Sequence, residues 1–211
     1  MHCRSEWNRP AAGAEPDLAQ FADVLGEQAA LAEKALHPIV RTAFVREAVL
    51  VECGGAVLEA ALDRGFVEAS GRTAPILEVE LELKRGGVQA ALAFGAQLAQ
   101  HFPLVLEARS KFLRGLLLAG LAQEERPHAL APASALEAVQ ALAAHLCDAW
   151  RSGEAADARF CLPHVALLAR KDWAAPQLKA QLRQWQEALA RGEAENRQAL
   201  AILLSVWEES V

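Results

Sequence analysis

Residues 76–85 alternate apolar and charged side chains, Ile-Leu-Glu-Val-Glu-Leu-Glu-Leu-Lys-Arg, a period of two that is regular only in a β-strand. On such a strand Glu78, Glu80, Glu82 and Lys84 share one face, and Leu77, Val79, Leu81 and Leu83 share the other. Neighbouring same-face positions lie roughly 6.6–7 Å apart, so the carboxylates repel along the ladder. Open water, a row of cations, or a divalent metal with basic neighbours must offset that repulsion. Two readings follow: a solvated outer face of a sheet, or a polar barrel interior that holds a metal and an anionic ligand.

The flanking pattern predicts further elements. Residues 1–16 are polar and hold one strand followed by a loop, and residues 17–37 have helical spacing that Pro38 stops. Two β-leaning runs, 41–52 and 57–64, are separated by Gly54-Gly55, a two-residue hairpin signal because both glycines accept positive φ. Residues 65–75 read as a loop. After the acidic strand, Gly86-Gly87 leads into an amphipathic helix over 88–100, then a short strand over 101–107. Ser110 is a plausible N-cap for a helix over 110–119. Five strands are expected in all. A Pro-containing polar stretch, 123–132, then gives way to Ala, Leu, Glu, Gln and Arg at helical spacing, with breaks near Ser152-Gly153, Pro163, Pro176 and Gly192. That is an α-helical hairpin or small bundle.

Composition narrows the class. A chain of 211 residues can bury a real core, and its 53% hydrophobic content contains no run near the ~18–20 residues that span a bilayer. The polar start, Met-His-Cys-Arg-Ser-Glu-Trp, has no apolar signal-peptide region. Cys3, Cys53, Cys147 and Cys161 show no metal-ligand spacing and are too sparse for a disulfide scaffold, so a reducing cytoplasm is expected. The formal net charge of −6 argues against general nucleic-acid binding but allows a local basic cluster for a small polyanion.

Three motifs follow one another in order: Val57-Leu-Glu-Ala-Ala-Leu-Asp-Arg-Gly65, Ala74-Pro-Ile-Leu-Glu-Val-Glu-Leu-Glu-Leu-Lys84 and Ser110-Lys-Phe-Leu-Arg-Gly115. Together they resemble the second half of a CYTH domain, the triphosphate tunnel metalloenzyme family, and in particular bacterial inorganic triphosphatases in which a helical CHAD domain follows. The resemblance runs from about His2, where Arg4-Ser-Glu-Trp looks like a mid-domain strand, to about Ala119. It implies hydrolysis of tripolyphosphate to diphosphate and phosphate with Mg²⁺ or Mn²⁺, inside an antiparallel barrel lined by carboxylates and cations. By the same resemblance Glu78 and Glu80 would be catalytic, as metal ligands or by orienting the attacking water. Glu59, Asp63 and Glu82 would join them as metal-binding carboxylates, and Arg46, Lys84, Lys111 and Arg114 would contact phosphate. The ordinary alternatives stay open: Glu59 and Asp63 as outer-face residues, Lys111 and Arg114 as surface residues near a helix start.

The departures bear on activity. The family's first strand, with its defining Glu-x-Glu-x-Lys, is absent, as are its arginine-rich and lysine-bearing strands; a second basic residue and a Trp expected near Arg46 are Ala48 and Val49 here, and the Tyr after Ser-Lys-x-x-Arg-Gly is Leu116. The expected architecture is α+β. Residues 1–120 form a partial antiparallel β-barrel, half of a triphosphate tunnel, with flanking helices. Residues 121–132 form a linker, and 133–211 a short α-helical CHAD-like unit in which Trp185–Gly192 resembles closing helices. His145 and His164 read as core histidines, and the basic face of Lys171, Arg183 and Arg191 is offset by Glu187, Glu193 and Glu195. A structural or docking role fits that unit. The expected ligand is inorganic triphosphate or polyphosphate, with no nucleic acid and no membrane, and with a partner chain or self-association covering exposed strand edges. Three readings remain: a triphosphatase whose first half lies upstream of the given start, weakly active or inactive as it stands; a non-catalytic remnant that binds polyphosphate or a protein; and gene decay.

Overall fold

The computed structural model describes residues 7–10, 13, 17–28, 37–123, 132, 134–193 and 196–210. Within them the architecture is α+β: a three-stranded antiparallel sheet, not closed into a barrel, and seven α-helices. The strands are β1 (Arg41–Cys53), β2 (Ala56–Ala69) and β3 (Arg72–Arg85), in the order β1-β2-β3. Gly54 and Gly55 close the first hairpin at φ 54° and 76°, as their sequence requires. The second hairpin departs from the expected loop over 65–75. β2 runs on through Gly65 to Ala69, Ser70-Gly71 make the turn at φ 49° and 72°, and β3 begins at Arg72. Gly65 and Pro75 suggested a break, but each suits its strand. A Cβ on Gly65 would lie 2.0 Å from the Ala43 carbonyl of β1. Among the described residues Pro75 lies on an edge strand, where a missing N–H is tolerated.

Residues 102–108 form no strand; His101 ends a helix and an irregular segment follows. The first expected strand falls largely on residues 1–6, outside the described residues, and Trp7–Pro10 are irregular. Of the expected helix over 17–37, a 3-10 turn at Leu18–Phe21 and the four-residue α1 (Ala22–Leu25) are described.

Two helices cover the sheet. α2 (Val88–His101) packs against β3 on the apolar face, and α3 (Lys111–Ala119) lies against all three strands on the acidic face. Four more helices follow: α4 (Ala135–Ser152), α5 (Ala158–Arg170), α6 (Pro176–Ala190) and α7 (Ala199–Glu208). Ser134 caps α4 by accepting from the Glu137 N–H at 3.2 Å, and Gly153 ends it in the left-handed region. Pro176 opens α6 at its first turn, where it removes no helical hydrogen bond.

Pro163 does not break the chain; it sits inside α5. Its ring removes one hydrogen bond, but Cys161, His164, Val165 and Leu168 of that helix are wholly buried, and their packing offsets the loss. Trp185, Leu142, Leu182 and Leu203 fill the same core, which also takes Leu92 and Ala96 from α2. α2 packs along α7, so the sheet's covering helix and the C-terminal helices share one core. His145 and His164 each stack on Phe160, at 4.5 and 4.6 Å, and the His145 Nε2 accepts from the Asp157 N–H, an arrangement that packs α4 on α5.

Candidate functional site: a carboxylate row closed by cations

The register sets three charged residues side by side across the sheet. Arg46 of β1 faces Asp63 of β2, and Asp63 faces Glu78 of β3. One step along, Ala48 and Ala61 lie beside Glu80, and the small alanines leave room above them. Like charges directly opposite destabilise a sheet, so Asp63 beside Glu78 needs cations on its face. α3 supplies them. Ser110 caps that helix by accepting from the Leu113 N–H at 3.1 Å, and Lys111 and Arg114, one turn apart, both face the sheet.

The resulting network is dense. The Arg46 guanidinium donates a fork to Asp63, Nε to Oδ1 and Nη2 to Oδ2, both at 2.7 Å, and Nη2 also reaches Glu80 at 2.6 Å. The Lys111 ammonium stands 2.8 Å from Asp63, 2.5 Å from Glu78 and 2.6 Å from Glu80. Arg114 donates Nη1 to Glu78 at 2.8 Å, while its buried Nε and Nη2 have no hydrogen-bond partner. Asp63 is wholly buried. The Phe44 ring lies under both cations, 5.6 Å from the Arg46 guanidinium carbon and 4.9 Å from the Lys111 nitrogen.

These contacts fix protonation. The Arg46 fork, aided by Lys111 and opposed by burial, holds the Asp63 carboxyl down at about 2. Burial works against the charge on Glu80, but Lys111 and Arg46 more than offset it and keep that carboxyl below its ordinary value. Lys111 loses some basicity to burial and gains more from its three carboxylates, so its pKa lies above the usual lysine value. Asp63, Glu80 and Lys111 are therefore charged near neutrality.

The expected site residues fall into two groups. Asp63, Glu78, Glu80, Arg46, Lys111 and Arg114 converge as described. Glu59, Glu82 and Lys84 gather further along the same face, where a bulge at Val57/Leu58 leaves Lys84 as the extra residue. Lys84 bridges Glu59 at 3.2 Å and Glu82 at 2.8 Å. Among the described residues, the oxygens that come close enough for one ion belong to Asp63, Glu78 and Glu80, all within 4.8 Å of one another. Three hard oxygen donors suit Mg²⁺ or Mn²⁺, and the Lys111 ammonium already stands among them as a cation.

Sequence reasoning passed over two parts of this region. Phe44 precedes Arg46 by two positions and so shares its face, a signal that was legible. The other part is a latch. Arg109 donates to Glu107 at 2.8 Å and to Asp148 of α4 at 3.0 Å, and Arg151 of α4 also pairs with Glu107. It ties the segment leading into Ser110 to the C-terminal helices, across nearly forty residues of chain, so no local pattern announces it.

Gly115, the last residue of the Ser-Lys-x-x-Arg-Gly run, has a packing role. A Cβ there would lie 2.2 Å from a Val40 methyl. Gly115→Ala must therefore lift α3 or displace Val40, and a loss of about 1–3 kcal/mol is expected. Urea denaturation would show it, with recovery in Gly115→Ala/Val40→Ala; an unchanged midpoint would refute the close fit.

No family model matches this chain. Over 119 residues it is 35% identical to an inorganic triphosphatase from Haemophilus influenzae; the matched region is 56% of this chain and 34% of that protein. The chain thus spans about a third of the length of the curated relative it matches.

Proposed function

We propose that the face formed by Asp63, Glu78, Glu80, Arg46, Lys111 and Arg114 binds inorganic triphosphate together with a divalent metal, as a triphosphatase-type site of the CYTH class. The observation that carries this reading is the alternation of charge within one cluster: three carboxylates whose oxygens lie within 4.8 Å, flanked by a buried arginine with two unused donors. The similarity to an inorganic triphosphatase supports it.

Asp63, Glu78 and Glu80 would hold Mg²⁺ or Mn²⁺, which supplies positive charge to the phosphate oxygens and acidity to bound water. The chain's own groups do the rest. Arg114 offers Nε and Nη2 to a phosphoryl oxygen without breaking an existing bond, so it is the first anchor for the anion. Lys111 and Arg46 are spent on carboxylates in the free protein. With those carboxylates occupied by a metal, Lys111 and Arg46 would turn to the phosphates, where their charge would offset that developing as the terminal P–O bond to the diphosphate leaving group breaks. Glu80, the most exposed of the three carboxylates, is placed to orient the attacking water. Glu59, Glu82 and Lys84 extend the polar lining for a longer polyphosphate. The helices α4 to α7 would belong to the CHAD-like unit expected over 133–211.

Turnover should be slow, because Lys111 and Arg46 are already engaged by the carboxylates of the site; the second reading, a binder without catalysis, rests on the same observation. Titration calorimetry with tripolyphosphate should show binding that strengthens with Mg²⁺ and is lost in Glu78→Gln/Glu80→Gln. Phosphate release should lag far behind that of the full-length Haemophilus protein. Equal binding by wild type and double variant would remove the site.

A further inference from the structure

The nine residues of α3 carry Lys111 and Arg114, yet little in the helix itself keeps them on the carboxylates. A helix that short is marginal in isolation. Its first turn has no acidic residue and holds Lys111, a cation where the helix dipole disfavours one. The chain ahead of it, residues 102–110, belongs to no helix or strand.

Arg109 supplies the missing hold. It stands next to the capping Ser110, its side chain is 11% exposed, and its guanidinium is engaged at each nitrogen. Nε donates to Glu107 at 2.8 Å, Nη1 to Asp148 at 3.0 Å and Nη2 to the Cys147 sulfur at 3.4 Å. The Arg109 backbone N–H donates to the same Glu107 oxygen at 2.9 Å, which fixes the main chain one residue before the cap. Glu107 in turn pairs with Arg151. Cys147, Asp148 and Arg151 all belong to α4, an 18-residue helix anchored in the common core by Ala138, Val139 and Leu142. Burial lowers the basicity of Arg151 and the charge of Glu78 works against that, so this cluster lies within electrostatic reach of the site.

We infer that Arg109 is a positioning residue of the site: clamped by Asp148 and Cys147 of α4, it sets where α3 begins and so holds Lys111 and Arg114 over Asp63, Glu78 and Glu80. Its effect on ligands rests on the proposed binding function; the clamp itself does not. The signs follow from the geometry. A loosened α3 takes the Lys111 ammonium away from three carboxylates that could hold a metal, and takes two cations away from an arriving anion.

Two substitutions open the clamp from opposite sides. Arg109→Met removes all three guanidinium contacts, and Asp148→Ala removes one from α4. In the full chain each should speed amide hydrogen exchange over 111–119, while β2, paired on both edges, keeps its protection. Arg109→Met should bind Mn²⁺ roughly three- to tenfold more tightly and, with Mn²⁺ present, tripolyphosphate more weakly by a similar factor, within the range by which contacts remote from a ligand modulate affinity. In a Lys111→Met background the Mn²⁺ gain should shrink to within about twofold, because the ammonium that Arg109 positions is already gone. Arg109→Lys keeps the charge without the fork, so its shifts should lie between those of wild type and Arg109→Met. Unchanged exchange over 111–119 in both variants would overturn the inference. So would Mn²⁺ and tripolyphosphate affinities that fall together, since Arg109 would then serve stability alone. If no chain, wild type included, binds tripolyphosphate, the proposed function fails and the exchange rates still decide the clamp.

Discussion

Asp63→Ala is expected to destabilise the protein by about 3 kcal/mol, because breaking a buried ion pair from one side leaves its partners desolvated and unpaired. Asp63 is wholly buried, whereas Arg46 keeps some solvent and Lys111 little. The loss should therefore fall at the lower end of the ~3–5 kcal/mol that such truncations cost. Replacing both sides, Arg46→Met with Asp63→Leu, should recover much of the stability while removing the charge chemistry. The acid limb of stability tests the same contact. The folded pKa of Asp63 lies at about 2, below its ordinary 3.8. Its contribution is therefore present above pH ~4 and is lost as pH falls towards 2, on the order of 2 kcal/mol. Urea denaturation at pH 6, 4 and 3 should show this slope in wild type and a shallower one in Asp63→Asn. Identical slopes would mean that Asp63 is not the group that couples protons to folding.

Much of the sheet and nearly all of the C-terminal helices were legible because their cause is local. The period of two over 76–85, the Gly54-Gly55 turn, Ser110 as a cap and Pro176 at a helix start each act within a few residues. What was not legible depends on contacts distant in sequence. Gly65 and Pro75 look like breakers until Phe44 is laid across Gly65 and Pro75 is placed on an edge. Pro163 looks like a helix end until its helix is buried against Leu142 and Trp185. The same holds for the site. Its residue types were readable, and so was the common face of Glu78 and Glu80. Which carboxylates converge was not, because that is set by the β2–β3 register and by where α3 lands. Asp63 thus proves central, while Glu59 and Glu82 form a second cluster with Lys84. Cations from β1 and α3 stand along the acidic ladder.

Lys111→Met is expected to move two affinities in opposite directions. In the free protein the Lys111 ammonium contacts Asp63, Glu78 and Glu80 at 2.5–2.8 Å, the same three carboxylates that could hold a metal. An ion entering there must displace it. Removing the ammonium while keeping an apolar stem over Phe44 should tighten Mn²⁺ binding roughly tenfold, since a charge-assisted contact contributes about 1.5–3 kcal/mol and 1.4 kcal/mol is a factor of ten. Tripolyphosphate binding in the presence of Mn²⁺ should weaken by a similar factor, because a released lysine is then missing from the anion's surroundings. Lys111→Arg separates charge from shape. It keeps the charge, so metal affinity should stay near wild type, while triphosphate affinity should fall only partly. Free Mn²⁺, followed by its paramagnetic resonance signal, reports the first affinity and calorimetry the second. If Lys111→Met weakened both, the lysine would be a strut that holds α3 to the sheet. If it changed neither, the ammonium would have no part in the site. Opposite shifts alone fit a lysine that holds the metal position closed until metal and phosphate arrive together.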